Sequence, residues 1–528
     1  MKRIVSILRL VVMVFAACLP LASCSGPDDG KLHIKFYHTM GENLRKVLNQ
    51  YVKVFETLYP EYKIDHEQIG GYEDVRDQIA TEITAGKQPN IAYCYPDHVA
   101  LYNLALAVKT LDDYIASEEV ITRADGTTEI LGLTEEQKAD FIQAYYDEGK
   151  QFGDDLMYTM PLSKSTEVLY YNKTYFDVAQ KMYTSDVALD LNGNPIKDKD
   201  GNTTPNPNKG NEMYNLFVPT TWDEMEIICA RIIGIENDRL ADSVKSSAAK
   251  VETDEFGYKI YLDKDGKKLA QVIPLGYDSE SNWFITMCEQ LGLPYTSAEG
   301  EMFLFDTEEH HEFVTRFRNW YLKGYVTTQE IHGSYTSSLF TAKTGTKSFM
   351  SIGSSAGATH QRPAKNADGS YPFEVGIESI PQIDGVNNPK VISQGPSLCI
   401  FEASEEEMKA SWLFVKFLCT NVEFQADFSR ESGYVPVIKS VNTDPIYAEF
   451  LANADGGDNV AALSVKVCLE QEQYYYTSPA FNGSAKARDE VGKLIQAVFK
   501  LSPETADLPA AIKKLFEKAI NECKYHVQ

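Results

Sequence analysis

The sequence predicts an α/β protein of two lobes with a cleft between them. Three observations carry that expectation. Strand and helix patterns alternate over the first hundred residues of the soluble part. About 500 residues follow the amino-terminal apolar segment, which exceeds what one core of about 250–300 residues can organise. After residue 157 the pattern turns strand-rich and then helical, as a second core would require.

In "KLHIKFYHTMGENLRKVLNQYVKVFETLYPEYKIDHEQI", His33, Lys35 and Tyr37 alternate with Leu32, Ile34 and Phe36, the period of a strand. Leu44, Val47, Leu48, Tyr51, Val54, Phe55 and Leu58 recur at helical spacing, and Pro60 ends that helix. "KIDHEQI" starts a second strand, "DVRDQIATEITAG" a second helix, and "PNIAYCY" a third strand. Strands joined through helices form a parallel sheet, whose ligands sit beyond the carboxyl ends of the strands. The loops "HTMGE", "GGYED" and "YPDH" then face a cleft. Further on, "VPTTWDEMEIICARI" opens a helix in which Thr221 and Glu224 form a capping box, giving Trp222 and Glu224 structural roles. Residues 184–214 and 256–273 are polar, with Asn-Gly and Asp-Gly turn signals, and read as hairpin insertions within 184–270. The aspartates of 184–214 lack the twelve-residue calcium-loop pattern ending in glutamate.

The amino terminus sets the compartment. Met1-Lys2-Arg3 precedes the apolar run "IVSILRLVVMVFAACLPLA", which is short for a membrane span and suits a signal peptide. "LASCSG" follows, with small residues immediately before Cys24, and resembles the bacterial lipobox. That resemblance implies cleavage after residue 23, a lipidated Cys24, a tether over 24–30, and an extracytoplasmic protein held on the membrane. Losing Lys2, Arg3 and Arg9, with no acidic residue, takes the net charge from −26 to −29. A surface so acidic excludes nucleic acid as a general partner. Beyond Cys18 and Cys24, the cysteines Cys94, Cys229, Cys288, Cys399, Cys419, Cys468 and Cys523 are scattered, odd in number and mostly set in apolar runs. They read as buried thiols, with no metal site and no disulfide scaffold. No cofactor fingerprint occurs in the chain.

"FYHTMGENLRKVLNQYVKVFETLYPEYKI", "AGKQPNIAY", "LDDYI", "MPLSKSTEVLYYNKTYFD", "PTTWDEM", "SFMSIGSSAG", "SLCIF" and "SWLFVKFLC…SGYVPV" follow one another in order. Together they resemble the extracellular solute-binding proteins of ABC importers, in the group of maltose- and glycerol-3-phosphate-binding proteins. The resemblance runs from about Lys31 to the C-terminal helices. It implies the type II periplasmic-binding-protein fold, with a hinge crossed more than once and a ligand held between closing lobes. It also implies a monomer that delivers its solute to a membrane permease and does no chemistry on it. The expected lobes are 31–157 with about 340–395, and 158–339 with about 396–528.

Carried residue by residue, the resemblance implies ligand-binding roles for Tyr72 in "GGYED", Ser165 in "SKSTEVLYYN", Trp283 in "SNWF", Gly353 and Ser354 in "SIGSSAG", Tyr434 in "SGYVP" and Arg488 in "FNGSAKAR". His38 in "FYHTMGE" joins them, as does Asp97 in "YCYPDH", although there Pro96 stands in register with the group's ligand-binding glutamate and Asp97 follows it. Each has a structural alternative: Trp283 in a core, Asp97 capping a helix, Arg488 paired with Asp489 or Glu490, Tyr72 packed on the surface. The 31 tyrosines and 25 phenylalanines favour a sugar or oligosaccharide, whose C–H faces stack on aromatic rings. Glycerol-3-phosphate or a glycerophosphodiester is the alternative, if Arg488 converges on the "SIGSSAG" turn. A secreted glycoside hydrolase would need two carboxylates about 5–10 Å apart. Glu73-Asp74 and Asp154-Asp155 are sequence neighbours that suit this poorly, and a surface adhesin is the remaining alternative.

Overall fold

The structure, a computed structural model, describes residues 29–152, 154–385 and 389–527. The signal segment and Cys24 lie outside the described residues.

Two sheets organise the chain. In the first, Tyr62–Gln68, Leu32–His38 and Ile91–Cys94 run parallel, and Ser397–Ile400 and then Met160–Pro161 complete the sheet in antiparallel sense. The helix Glu42–Leu58 between the first two strands buries Val47, Leu48, Tyr51, Val52 and Phe55. Phe55 meets Phe414 of the helix Glu405–Thr420 across one face of this sheet. The strand–helix–strand expectation therefore holds, with a parallel start, Ser397–Ile400 running opposite to it, and Met160–Pro161 running again in the first direction.

The second sheet is built on the long strand Ser165–Asn172, which pairs antiparallel with Met350–Ser354, Val375–Ser379 and Val391–Gln394. Leu275–Tyr277 and Val326–Thr328 extend it on one side and Tyr475–Tyr476 on the other. Its core gathers Trp222, Trp283 and Trp320 against the C-terminal helices Ser484–Phe499 and Leu508–Val527. The capping box of Thr221 forms as expected, with Glu224 N–H to Thr221 Oγ1 at 3.2 Å and Thr221 N–H to Glu224 Oε2 at 3.2 Å. The polar insertions fold into two small meanders, one bridged at Val187–Pro205, Leu189–Pro195 and Lys197–Thr203, the other pairing Lys250–Thr253 with Lys259–Leu262.

The expected lobe boundaries need a correction. The strands Met350–Ser354, Val375–Ser379 and Val391–Gln394 belong to the second sheet, not the first, and Ser397–Ile400 belongs to the first, not the second. The crossover lies at Gly395-Pro396, where Pro396 C=O accepts from Leu162 N–H (3.1 Å) and Ser163 N–H (3.3 Å) of the first crossover. Gly395 has φ +123°, and a Cβ there would lie 2.4 Å from Ser163 C=O. Only glycine allows the two linkers to lie against each other at this point. Beside them Lys164 and Glu148, 1% and 5% exposed, form an ion pair.

Candidate functional site in the interlobe cleft

The first lobe supplies an aromatic wall. Tyr72 opens the helix Tyr72–Thr84, and Tyr95 follows the third strand, immediately before the helix Pro96–Tyr102. Their rings stack at 4.3 Å between centroids and 18°, and Tyr72 also lies parallel to Tyr93 at 6.3 Å and 14°. Tyr434, just past the helix Val422–Ser432, brings its hydroxyl to 3.4 Å from that of Tyr72. Burial pushes the phenols of Tyr72, Tyr95 and Tyr434 up, so they are neutral hydrogen-bonding groups.

The second lobe supplies a polar wall. Asp278 Oδ1 accepts from the Thr336 N–H and hydroxyl, both at 2.7 Å. A Cβ on Gly353 would lie 2.5 Å from Asp278 Oδ2, so the "SIGSSAG" turn needs glycine here to let this carboxylate sit against its backbone. Ser354 is exposed and its Oγ accepts from Ala356 N–H at 3.2 Å. Tyr335 is 63% exposed.

The lobes meet at the start of the helix Ser484–Phe499. Arg488 Nη1 donates to Asn282 Oδ1 at 2.6 Å, and Arg488 Nε lies 3.6 Å from Asp97 Oδ2. Asn282 Nδ2 in turn donates to Gln394 Oε1 (2.9 Å) and to Glu167 Oε1 (3.1 Å), whose other oxygen accepts from Tyr277 hydroxyl at 2.6 Å. Next to Arg488, Asp489 Oδ2 lies 3.4 Å from Arg76 Nη1 of the first lobe. Each of these two guanidinium groups thus already faces a carboxylate across the cleft.

The structure therefore brings Tyr72, Tyr434, Asp97 and Arg488 to one cleft, with the Gly353-Ser354 turn beside it. Gly433, preceding Tyr434, packs so close to that turn that a Cβ would lie 2.6 Å from Ser355 C=O. Two other expected residues, Trp283 and His38, lie elsewhere. Trp283 is fully buried, stacked on Phe317 at 3.7 Å and on Tyr277 at 4.9 Å, so it is a core residue and no cleft wall. His38 is also fully buried, with both ring nitrogens engaged. Its Nδ1 accepts from Met40 N–H (3.1 Å), which places its proton on Nε2, bonded to His66 Nδ1 (2.9 Å). Burial pushes His38 down to about 3, which keeps it neutral. Ser165 is 6% exposed in the second sheet opposite Gln394.

Sequence reasoning missed Tyr95, Asn282 and Gln394. Asn282 is the neighbour of Trp283 on the helix Glu280–Leu291. One residue of helix turns the side chain by about 100°, which separates the cleft from the core. Tyr95 had a signal, since it ends a parallel strand at the carboxyl edge where ligands bind.

A family model described as bacterial extracellular solute-binding protein matches residues 50–454. The chain belongs to this family. Among curated proteins none matches it by sequence. The solute-binding protein shares its fold with solved structures of low identity. A cyclic α-maltosyl-1,6-maltose binding protein from Arthrobacter globiformis is 17% identical over 94% of this chain and 99% of that chain, with a TM-score of 0.58. The mycobacterial protein UgpB from Mycobacterium tuberculosis, in complex with glycerophosphocholine, is 15% identical over 95% and 98%, with a TM-score of 0.61. An ABC substrate-binding protein from Listeria monocytogenes, in complex with cycloalternan, is 16% identical over 94% and 98%, with a TM-score of 0.61. These likenesses establish the two-lobed binding-protein fold for the solute-binding protein. Among the described residues no helix is long and apolar enough to cross a membrane.

Proposed function

We propose that this chain is the substrate-binding lipoprotein of an ABC importer, capturing a neutral sugar or oligosaccharide between its lobes. It acts as a monomer that delivers the solute unchanged to a membrane permease. The stack of Tyr72 on Tyr95 carries this reading, because it offers a flat face to a sugar ring. The Tyr434 hydroxyl stands beside that of Tyr72, and Ser354 and Asp278 on the second lobe's wall offer further partners for sugar hydroxyls. The maltose-type and cycloalternan ligands of similarly folded proteins support the same class.

Arg488 is the observation that favours the second reading, a glycerophosphodiester or glycerol-3-phosphate. Its guanidinium already has Asn282 and Asp97 as neighbours, and an incoming anion would meet that carboxylate. A thermal-shift screen of the protein truncated after Cys24 separates the readings. A ligand at a hundred times its dissociation constant adds about 2.7 kcal/mol to the folded state. Oligosaccharides shift the midpoint and glycerol-3-phosphate does not, if the carbohydrate reading holds; the reverse result overturns it. Replacing Tyr95 by alanine is expected to weaken sugar binding about tenfold by calorimetry, the equivalent of about 1.4 kcal/mol. An unchanged affinity removes the stack from the site.

Lipidation of Cys24 completes the proposal, and residues 25–30 serve as the tether. Replacing Cys24 by serine is expected to move the protein from the membrane fraction to the soluble one. Continued sedimentation of the serine variant with membranes would rule the anchor out.

A further inference from the structure

Two guanidinium groups divide their contacts between the lobes. Arg76, on the first-lobe helix Tyr72–Thr84, donates from Nε to Asp77 of the same helix at 2.7 Å. Its Nη1 lies 3.4 Å and 3.5 Å from the two carboxylate oxygens of Asp489 in the second lobe. Arg488 reverses the arrangement, with Asn282 of its own lobe at 2.6 Å and Asp97 of the first lobe at 3.6 Å. Arg488 and Asp489 are consecutive on the helix Ser484–Phe499, so one helix offers a cation and an anion, each opposite its counter-charge. In both cases the short contact stays within a lobe and the longer one crosses the cleft.

That division makes the crossing contact reversible. The Arg76 side chain is 11% exposed, Asp489 28% and Asp77 68%. Asp489 is the less solvated of the two carboxylates, so its attraction for Arg76 is the less screened. When the lobes part, Arg76 keeps Asp77 and Asp489 returns to water, so no buried charge is stranded. Neither Arg76 nor Asp489 lines the space between Tyr95 and Arg488, so the pair acts on closure and leaves the solute to other residues.

We propose that Arg76 and Asp489 form a latch that favours the closed arrangement of the lobes without touching the solute, and so sets how far the chain closes before solute arrives. The inference deepens the solute-binding reading and rests on closure of the lobes, not on the class of solute. A solute that binds the closed arrangement gains affinity in proportion to the fraction already closed. The latch thus tunes the affinity of every solute of this cleft by the same factor.

Pulsed dipolar spectroscopy of the protein truncated after Cys24 tests this, with spin labels at Lys87→Cys and Lys514→Cys, an exposed position on each lobe. The cysteines of the described residues are all buried, which directs the labels to these two sites. Without solute, the closed-to-open ratio is expected to fall about 3- to 10-fold in Asp489→Asn, the size of one charged contact. It is expected to rise in Asp77→Asn, which removes the carboxylate that competes for Arg76. Arg76→Gln combined with Asp489→Asn is expected to match Asp489→Asn within twofold, since both changes act on one contact. A ratio in Asp489→Asn within twofold of the parent overturns the latch. A fall in Asp77→Asn as large as that in Asp489→Asn also overturns it, since it marks a general response to lost negative charge. These readouts need no solute, so the latch can fail while the solute-binding reading stands. Added maltotriose that leaves the parent's distances unchanged counts against the carbohydrate reading alone.

Discussion

Replacing Lys164 by methionine lowers the stability of the protein by about 3–5 kcal/mol, the cost of leaving one buried charge without its partner. Lys164 lies on the first crossover between the two sheets, 1% exposed, and its ammonium contacts the Glu148 carboxylate, 5% exposed. Its backbone is fixed as well, since Lys164 N–H donates to Val435 C=O at 2.9 Å. Methionine keeps the length of the side chain, so the loss comes from Glu148, left 5% exposed with no ammonium beside it. The double replacement Lys164→Met with Glu148→Gln removes both charges and recovers most of the loss, to within about 1–2 kcal/mol of wild type. Urea denaturation followed by circular dichroism reads both changes. A loss below about 1 kcal/mol for the single variant is the value of a solvated surface pair, and would contradict the burial seen here.

The second large effect is a pH dependence placed on Glu167. This carboxyl is 3% exposed and burial, as the largest cause, pushes it up to about 7 despite the hydrogen bonds from Tyr277 and Asn282. A carboxyl raised above its unfolded value favours the protonated form in the fold. Its contribution is therefore present below the ordinary value near 4.3 and is lost as pH rises through about 7. The loss amounts to roughly 3–4 kcal/mol between those limits. Glu167→Gln removes the titration while keeping an oxygen that accepts from Asn282. The variant should match the wild type near pH 4.5 and exceed it at pH 8, as measured by urea midpoints at both values. Parallel stability curves for the two proteins would show that Glu167 does not titrate in this window.

Much of the first lobe was legible because its signals are local. Alternation in Leu32–His38 and the helical stripe of Glu42–Leu58 depend on residues a few positions apart, as does the Thr221–Glu224 capping box in the second lobe. The same locality explains the errors. Apolar runs such as Met350–Ser354 and Ser397–Ile400 announce strands, but not which sheet they join. That choice was made by pairing with Ser165–Asn172 and Ile91–Cys94, which lie far away in the chain.

The site follows the same division. Tyr72 and Tyr434 were legible through family wording, and Arg488 through a weaker match. Their meeting is a tertiary event, since Tyr72 and Tyr434 touch across 362 positions and Arg488 reaches Asn282 across 206. Trp283 and His38 have the chemistry of ligand-binding residues, yet helix phase and strand face turned both into buried structure. By itself the sequence determined the α/β class, the acidic surface and the aromatic supply, because these are set by composition and short periods. The tertiary structure alone decided which rings stack in the cleft and which cations are already matched by carboxylates across it. Those depend on long-range packing and on the loss of solvent, and neither is written in any short stretch of chain.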